Sequence, residues 1–518
     1  KLKQHDSGGL TMDATGAENH CTILVIEPSE VEADMLWVGT DDGRVHYTKD
    51  GGTQWIEVTK NIKGLPKGSW IPQIKASKTN KGEALLVAND YRRFNYIPYV
   101  YRTKNYGKSW ERIVDATDVA SYTLSIVEDP EEPNLLFLGT DDGLYISIDK
   151  GEKWTKWTEG FPTVPVKDLV IHPREHDLVI GTFGRAAWVL DDIRPLRAIA
   201  KDQNVLQKTV QLFDPPTAYQ AAYQQPTGSR FGGDALFNGE NRDRGAQFTY
   251  YLNLRDEVKK NTIAEIQWDS LQLQLFDGTR LIRTLKQKTP KESGFYSWNW
   301  NMDEKGVEWP SKKIRKSTRE PSGVQVIPGT YRAVLRYGDQ NSETNIEVQS
   351  DPRIDYDATA VLAVYETLKK FEKLQEVTAD AVKQLVESNS IVSEFSEQLS
   401  KKDKTLHKDA IKSCEELTKK IDTILALYFG KEDKRQGITS DPKVSVTERI
   451  GTALSYIRSR KSGITATERS LIEHAKTAIK NALETTNRFF DNDWKDFKTE
   501  METKDLSPFK TLKTFKLN

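Results

Sequence analysis

Short segments in which apolar and polar residues alternate dominate the chain between about residues 21 and 192. Three of them carry the pattern Leu-x-x-Gly-Thr, at residues 36–40, 136–140 and 178–182. Alternation with a period of two indicates half-buried β-strands. The first two copies continue into Asp-Asp-Gly, and Asp-Gly is a strong signal for the tight turn of a β-hairpin. The pattern therefore predicts successive antiparallel strands joined by short turns.

An eight-residue motif repeats between these strands, at residues 48–55, 103–110 and 147–154. It consists of a hydroxyl residue, any residue, Asp or Asn, any residue, Gly, two further residues and Trp. The Asp or Asn side chain can accept hydrogen bonds from the amides of a tight turn, Gly supplies a positive φ, and Trp buries its ring under the turn. We therefore assign a structural role to Asp50, Gly52, Trp55, Asn105, Gly107, Trp110, Asp149, Gly151 and Trp154.

The motif resembles the Asp-box of bacterial sialidases and sortilin-like proteins. Its central residues are 55 and 44 positions apart, a period that suits the four-stranded blade of a β-propeller. Residues 1–200 are accordingly predicted to form four blades, the last of them without an Asp-box.

Nearly the whole chain resembles the C-terminal half of large bacterial sortilin-like proteins with BNR repeats, which are labelled glycosyl hydrolases. The resemblance is carried by residues 15–20, 64–70, 99–103 and 181–197. It implies that the four blades are part of a larger propeller. The remaining blades would come from a missing N-terminal half or from a partner chain, because residues 1–19 contain no clear strand that could close the ring.

The pattern changes after the propeller. Residues 201–240 are rich in Gln, Pro, Gly and Asn and are predicted to form a linker. Six strand-like segments separated by turn signals follow within residues 241–353, which predicts an immunoglobulin-like or fibronectin-like β-sandwich. The expected role of this sandwich is spacing or packing.

Apolar residues recur every three or four positions in residues 354–518, which predicts a bundle of four helices. Thr465 is a candidate N-cap of the last helix. The charged stretches here are interpreted as solvated helix faces, and a docking surface for another polypeptide is the alternative. The fold class is thus multidomain, mainly β and then α.

Composition excludes some classes of function. The 518 residues carry 75 basic and 76 acidic side chains, so no bulk charge attracts nucleic acid or a membrane surface. No apolar run reaches the roughly 20 residues of a transmembrane helix. The two cysteines, Cys21 and Cys414, fall in different predicted domains and do not suggest a disulfide framework.

Motifs for cofactors and metals are not found in the sequence. It contains no phosphate-binding loop and no dinucleotide fingerprint, so no cofactor is expected. His172 and His176 flank Pro173 in a predicted surface turn, which does not favour a zinc pair. The Asp-Asp-Gly turns lack the twelve-residue pattern of a calcium loop, so no metal is expected.

The best candidate for ligand contact is the loop at residues 89–98 of the second blade. It replaces a tight Asp-Asp-Gly turn and is predicted to lie on the face opposite the Asp-boxes, where propellers bind ligands. Tyr and Arg are favoured at recognition sites. The candidate binding residues are Tyr91, Arg92, Arg93, Phe94, Tyr96 and, from the fourth blade, Arg185. The alternative is a loop that simply packs on its neighbours.

Paired acids on the same face raise the question of glycoside hydrolysis, which normally uses two carboxylates across a cleft. The weak catalytic candidates are Asp41, Asp42, Asp141 and Asp142. Asp-Asp-Gly is equally what a hairpin turn requires, and the resemblance to hydrolases rests on the structural Asp-box.

The function expected from the sequence is binding or scaffolding outside the cytoplasm, without catalysis, with a polypeptide or a glycan as ligand. This expectation follows from the resemblance to sortilin-like propellers, and it implies a secreted, periplasmic or outer-membrane-associated protein whose signal is not in this chain. One alternative is a secreted or periplasmic glycoside hydrolase with a sialidase-like or xyloglucanase-like propeller. Another is a subunit of a cell-envelope assembly that docks through its helices.

Overall fold

A computed structural model describes residues 21–221, 239, 242–254, 270–314, 317, 319–403, 407–431, 443–460 and 462–503 of the chain. Four small antiparallel sheets come first, two further sheets that share one core follow, and helices form the C-terminal region. None of the helices in these ranges is long and apolar enough to cross a membrane.

The first four sheets are consecutive propeller blades, and within each blade neighbouring strands pair in chain order. Blade 1 consists of β1 (Ile23–Pro28), β2 (Leu36–Thr40), β3 (Val45–Thr48) and β4 (Ile56–Glu57). Blade 2 consists of β5 (Trp70–Ala76), β6 (Ala84–Asp90), β7 (Asn95–Thr103) and β8 (Glu111–Arg112). Blade 3 consists of β9 (Thr123–Glu128), β10 (Leu136–Thr140), β11 (Gly143–Ser147) and β12 (Thr155–Lys156). Blade 4 has three strands, β13 (Val166–Ile171), β14 (Leu178–Thr182) and β15 (Ala187–Leu190).

Each blade packs its face against the next one, and a separate apolar core fills each junction. Trp37 and Tyr47 of blade 1 share a core with Ile74 and Leu86 of blade 2. Corresponding cores join blade 2 to blade 3 and blade 3 to blade 4. Stacking of this kind buries large side chains that a single four-stranded sheet could not bury alone.

The repeated Gly-Thr ending has a packing reason. A Cβ atom at Gly39 of blade 1 would lie 2.6 Å from Cγ2 of Ile71 in blade 2. A Cβ atom at Gly139 of blade 3 would lie 2.6 Å from the carbonyl oxygen of Val166, which begins blade 4. Glycine is therefore required where the inner strand of the following blade approaches the backbone.

The Asp-boxes form compact hydrogen-bonded turns in which the hydroxyl residue and the acid act together. In the first box, Thr48 Oγ1 donates to Asp50 Oδ1 at 2.7 Å and accepts from Gly52 N at 3.0 Å, while Gln54 N donates to Asp50 Oδ1 at 2.9 Å. The same three bonds recur around Asn105 and Asp149. Gly52, Gly107 and Gly151 all have positive φ.

The tryptophans of the boxes differ in their burial. The Trp154 ring is buried and its indole N–H donates to the carbonyl of Ile113 at 2.8 Å. Trp55 is 44% exposed, contrary to the expectation that each ring is buried under its turn. The difference arises because Trp154 packs on the preceding blade, to which Ile113 belongs, whereas the described residues place no blade before blade 1.

Two sheets beyond the propeller share one core. The three-stranded sheet has the order β16 (Val210–Leu212), β18 (Ala246–Leu252), β21 (Gly294–Trp300). The five-stranded sheet has the order β17 (Ala218–Gln220), β25 (Gln340–Ser350), β24 (Gly329–Tyr337), β19 (Ser270–Asp277), β20 (Arg280–Lys288). A small hairpin, β22 (Asp303–Lys305) with β23 (Ser322–Gln325), stands beside them. The immunoglobulin-like or fibronectin-like class stays a prediction.

The predicted linker at residues 201–240 contains strands of both sheets. The helix α1 (Arg194–Lys201) ends where this segment begins, and β16 and β17 follow within the segment. β17 pairs in parallel with β25, which lies about 130 residues later in the chain. Pairing over such a distance leaves no local sequence signal, which is why the segment resembles a linker. Most of its second half lies outside the described residues.

The C-terminal region is helical, as predicted. Its helices are α2 (Ala358–Asp403), α3 (Lys408–Phe429), α4 (Val446–Arg458), α5 (Ala466–Phe489) and α6 (Lys495–Glu502), with a π-helical turn at Phe490–Trp494. They share one apolar core. Thr465 is the N-cap of α5, as predicted, and forms a capping box with Glu468.

One buried acid ties the sheets to the helices. Glu304 of β22 accepts from Tyr365 of α2 at 2.6 Å, and Arg280 and Lys369 lie 2.8 and 3.2 Å from its carboxylate. Burial alone would raise the pKa of Glu304, but these partners together lower it. The carboxylate is therefore a charged anchor at the junction.

Candidate ligand-binding face

The β6–β7 connection of blade 2 is shorter than the predicted ten-residue loop. β6 continues to Asp90 and β7 begins at Asn95, so one turn of 3-10 helix and the left-handed Phe94, with φ of 61°, connect them. The Asp90 carboxylate holds this turn, because it accepts from Arg93 at 2.6 Å and from Asn95 at 3.2 Å. The connection is thus a short turn that side-chain hydrogen bonds hold together.

Four aromatic rings lie around the turn, and two of them hold Arg92. The guanidinium carbon of Arg92 lies 3.1 Å from the centroid of the Trp70 ring and 4.5 Å from that of Tyr91. Tyr91 in turn stacks on Tyr122 of blade 3, with centroids 4.6 Å apart, and Tyr96 lies 6.1 Å from the same ring. We call Trp70, Tyr91, Arg92, Tyr96 and Tyr122 the aromatic cluster.

An acid from blade 3 fixes the cluster on its far side. The Tyr122 hydroxyl donates to Asp141 Oδ1 at 2.8 Å. Burial and this carboxylate acceptor both raise the pKa of Tyr122, so the phenol stays protonated and remains a donor. Burial also lowers the pKa of Arg92, which nevertheless keeps its charge at neutral pH because the ordinary value is so high.

Apolar side chains beside the cluster face solvent. Phe94 is 85% exposed, and Ile97 and the cluster residue Tyr96 are exposed next to it. Phe183, in the β14–β15 turn of blade 4, is exposed as well. Exposed aromatic side chains beside a half-buried arginine are typical of a recognition surface.

The structure brings together part of the predicted binding set. Tyr91, Arg92 and Tyr96 belong to the aromatic cluster, Phe94 projects beside it, and Arg93 is held by Asp90. Arg185 lies on blade 4, where its carbonyl accepts from the Trp188 indole N–H at 3.0 Å. It belongs to a different turn from the cluster.

Each catalytic candidate has a local partner. Asp41 accepts from Thr22 N at 2.8 Å, and Asp42 accepts from Thr40 Oγ1 at 2.6 Å. Asp141 accepts from Tyr122, and Asp142 pairs with Lys156 Nζ at 2.8 Å. Hairpin turns and their neighbours account for these contacts, so a catalytic role for the four acids stays a prediction.

The sequence analysis did not identify two residues of the cluster, Trp70 and Tyr122, as candidate binding residues. Both stand at the start of the inner strand of a blade, next to the β2–β3-type turns that carry the acids. The backbone of Tyr122 pairs with Asp141 in the same way that Thr22 pairs with Asp41. Superposing the blade repeats at this position would have placed Tyr122 against the Asp141 turn.

A second charged group lies at the other end of the inner strands and was also missed. Arg102 of β7 is buried; its Nη1 donates to the carbonyl of Lys150 at 2.9 Å, and its Nη2 and Nε lie 3.4 and 3.6 Å from Glu128 and Glu83. Burial raises the pKa of Glu128 to about 7, although Arg102 opposes this shift. A cavity of about 260 Å³, lined by all four inner strands, adjoins these acids. In the part of the chain that the structure describes, no group of His, Cys, Asp and Glu is placed to hold a metal ion.

Comparison with known proteins bears on the propeller. Residues 98–202 match the Sortilin-Vps10 family model, described as sortilin, neurotensin receptor 3. This match confirms the sortilin-like resemblance that the Asp-box repeats indicate. No curated protein matches the chain.

Solved structures resemble the chain over about a third of its length. The GH74 enzyme of Niastella koreensis is 16% identical over 33% of this chain and 28% of its own, with a TM-score of 0.28. YCF48 bound to D1 peptide is 16% identical over 33% of this chain and 52% of its own, with a TM-score of 0.26. YCF48 from Cyanidioschyzon merolae is 15% identical over 33% of this chain and 56% of its own, with a TM-score of 0.24. The chain therefore spans little more than a quarter of the GH74 enzyme and about half of the YCF48 proteins.

Proposed function

We propose that this chain, whose propeller is sortilin-like, binds a polypeptide at the aromatic cluster without catalysing a reaction. The observation that carries the proposal is the position of Arg92 over the rings of Trp70 and Tyr91, with exposed Phe94 and Tyr96 beside it. A location outside the cytoplasm, whether secreted, periplasmic or at the outer membrane, belongs to the same proposal, and the sortilin-like resemblance supports it.

The chemistry of the surface favours a peptide with an apolar and an acidic side chain. An arginine held by aromatic rings keeps its charge and loses less side-chain entropy when a ligand binds. It can therefore receive a carboxylate, while the exposed ring of Phe94 covers an apolar side chain. Rigid aromatic anchors of this kind contribute contact area at low entropic cost. A glycan is the second ligand class, because sugars also stack on exposed aromatic rings.

The experiment is selection of displayed random peptides on the immobilised protein, followed by titration of the enriched peptides. Arg92→Ala and Tyr96→Ala should each weaken binding about tenfold to thirtyfold, the range of an interface hot spot. Arg92→Lys keeps the charge but loses the planar stack, so its affinity should fall between those of the wild type and Arg92→Ala.

Arg332→Ala is the matched control, because Arg332 lies 4.4 Å from the ring of Phe276 in the five-stranded sheet, outside the propeller. It should bind like the wild type. Enriched peptides that bind Arg92→Ala and wild type equally well would overturn the proposal. So would failure to enrich any peptide.

A glycoside hydrolase is the second candidate, and one observation favours it. Glu128 has a pKa of about 7 at the edge of a cavity, which is the protonation behaviour of a general acid. If this alternative holds, polysaccharide cleavage should disappear in Glu128→Gln and persist in Arg92→Ala. Cleavage that is lost with Asp41, Asp42, Asp141 or Asp142 instead would point to the opposite face.

A further inference from the structure

A cavity of about 410 Å³ lies between the β22–β23 hairpin and helices α2 and α4. Part of its wall comes from residues 350–356, the end of β25 and the segment that connects this strand to α2. No residue of the aromatic cluster lines it. Small-molecule sites commonly enclose about 300 to 1,000 Å³. The cavity is therefore large enough to hold a small ligand.

The cavity lies where two apolar cores meet. Val324 of β23 belongs to the core of the helices, whereas Val326, two residues later, belongs to the core that the two sheets share. Both side chains are buried, and both line the cavity. The two cores thus approach each other here without merging, which gives the space between them apolar walls. Voids in a close-packed interior are rarely larger than a water molecule, so this cavity exceeds an ordinary packing defect.

Helix α2 supplies one continuous side of the cavity. Its lining residues are spaced by three and four positions, which places them on one face of the helix. They are Val361, Val364, Tyr365 and Leu368. The hydroxyl of Tyr365 already donates to Glu304 at 2.6 Å. This side therefore offers a ligand mainly apolar contacts.

The two acids that line the cavity are poorly suited to bind a cation. The carboxylate of Asp351 accepts from Nε of Arg353 at 2.8 Å, so it already has a charged partner. Asp355 is exposed and lies outside any helix or strand, so its carboxylate is solvated and no regular element holds it in place.

The two arginines that line the cavity are better placed to bind an anion. Arg458 is the last residue of α4 and has no ion-pair partner in the part of the chain that the structure describes. Arg460 donates through Nε to Oε1 of Glu468 at 2.9 Å, and Glu468 is fully buried in the capping box of α5. This contact holds the guanidinium in place and leaves its two Nη groups available as donors. A guanidinium that is held in this way loses little side-chain entropy when it binds a carboxylate.

We propose that the cavity binds a small organic acid with an apolar body. The carboxylate is bound by Arg458 and Arg460, since a guanidinium forms strong, charge-assisted hydrogen bonds with a carboxylate. The apolar body packs against Val324, Val326 and the lining face of α2, where burial removes it from water. This site lies outside the propeller and does not depend on the proposed peptide site.

The test is isothermal titration calorimetry of the 518-residue chain with octanoate, octan-1-ol and octylamine. The three probes share one apolar chain and differ in the charge of the head group. Octanoate should bind at least about tenfold more tightly than octan-1-ol, because hydrogen bonds to a charged group are stronger than those to a neutral one. Octylamine should bind most weakly. A complex with octylamine that is as tight as that with octanoate would overturn the proposal, since the acids would then be the recognising groups.

Two variants locate the site. Arg458→Ala removes an exposed side chain, so the fold is kept; it should weaken octanoate binding at least about fivefold and leave octan-1-ol binding unchanged. Val361→Trp places an indole ring in the cavity and should weaken the binding of both probes. Unchanged octanoate binding in either variant would contradict the proposal.

Arg449→Ala is the matched control, because Arg449 belongs to the same helix, α4, but does not line the cavity. It should bind octanoate like the wild type, and so should Arg92→Ala, which changes the aromatic cluster instead. Loss of octanoate binding in Arg449→Ala would place the site elsewhere. Absence of binding by all three probes to the wild type would show that the cavity is only a gap between the two cores.

Discussion

Arg92 and Arg102 belong to the same blade, yet their surroundings have little in common. Arg92 lies over two aromatic rings at the end of β6, where the carboxylate of Asp41 acts on it through space. Arg102 is buried near the Asp-box end of β7, between Glu83, Glu128 and a carbonyl of blade 3. An aromatic environment holds a cation without neutralising it, whereas carboxylates neutralise it. The first arrangement suits recognition and the second suits the junction between blades.

The largest expected effect is on the stability of the protein, and it differs between substitutions of the two arginines. Arg102→Leu leaves Glu83, Glu128 and the Lys150 carbonyl without their buried partner, so we expect the free energy of unfolding to fall by about 3 kcal/mol. Arg92→Leu removes a cation–aromatic contact at a half-buried site and should cost about 1 kcal/mol. Urea denaturation followed by tryptophan fluorescence measures both.

Equal losses in the two variants would contradict the comparison. Arg336→Leu is a suitable control, since Arg336 is an exposed arginine that donates to Gln274 at 2.7 Å. Its effect should lie within about 0.5 kcal/mol of zero.

The next effect depends on pH. Burial raises the pKa of Glu128 from 4.5 to about 7 in the folded chain, so folding favours its protonated form. The contribution of Glu128 to the free energy of unfolding is therefore fully present below pH 4.5, decreases as the pH rises, and is lost above about pH 7. Its size is about 3 kcal/mol. Glu128→Gln should flatten most of this dependence, as measured by urea midpoints between about pH 4 and pH 8.

Some dependence should remain in Glu128→Gln, because burial raises the pKa of Glu27 as well. A variant with the full wild-type slope would show that folding leaves the pKa of Glu128 unchanged.

The smallest effect concerns the aromatic cluster. Tyr122→Phe removes the hydroxyl that donates to Asp141 but keeps the ring that stacks on Tyr91. We expect a loss of about 1 kcal/mol in stability and unchanged stacking. Tyr122→Leu removes the stack too, and only this variant should weaken peptide binding strongly. If Tyr122→Phe lost as much binding as Tyr122→Leu, the hydrogen bond from the hydroxyl to Asp141, and not the ring stack, would be what positions the cluster.

The sequence predicts much of the fold because its signals are local. The Asp-boxes at Asp50, Asn105 and Asp149 are built from bonds between residues no more than four positions apart, so eight residues suffice to recognise them. The N-cap at Thr465 is local in the same sense.

The candidate site is less predictable because it depends on contacts between blades. The sequence predicts a loop at residues 89–98, which contains the turn, but Trp70 and Tyr122 reach it from other parts of the chain. The pair of Arg102 and Glu128 joins residues 26 positions apart across a blade junction. Side chains that meet through packing leave no pattern in either segment alone.

The strand order has a consequence for how the chain folds. Every blade is a meander whose strands pair with their sequence neighbours, so each can form soon after its residues become available. The five-stranded sheet instead needs β17 to meet β25, and the bond from Leu212 N to Ser342 Oγ spans 130 residues. Closing that long loop costs chain entropy before any contact compensates for it. During synthesis, the blades can therefore form before the partner strands of β16 and β17 have been made.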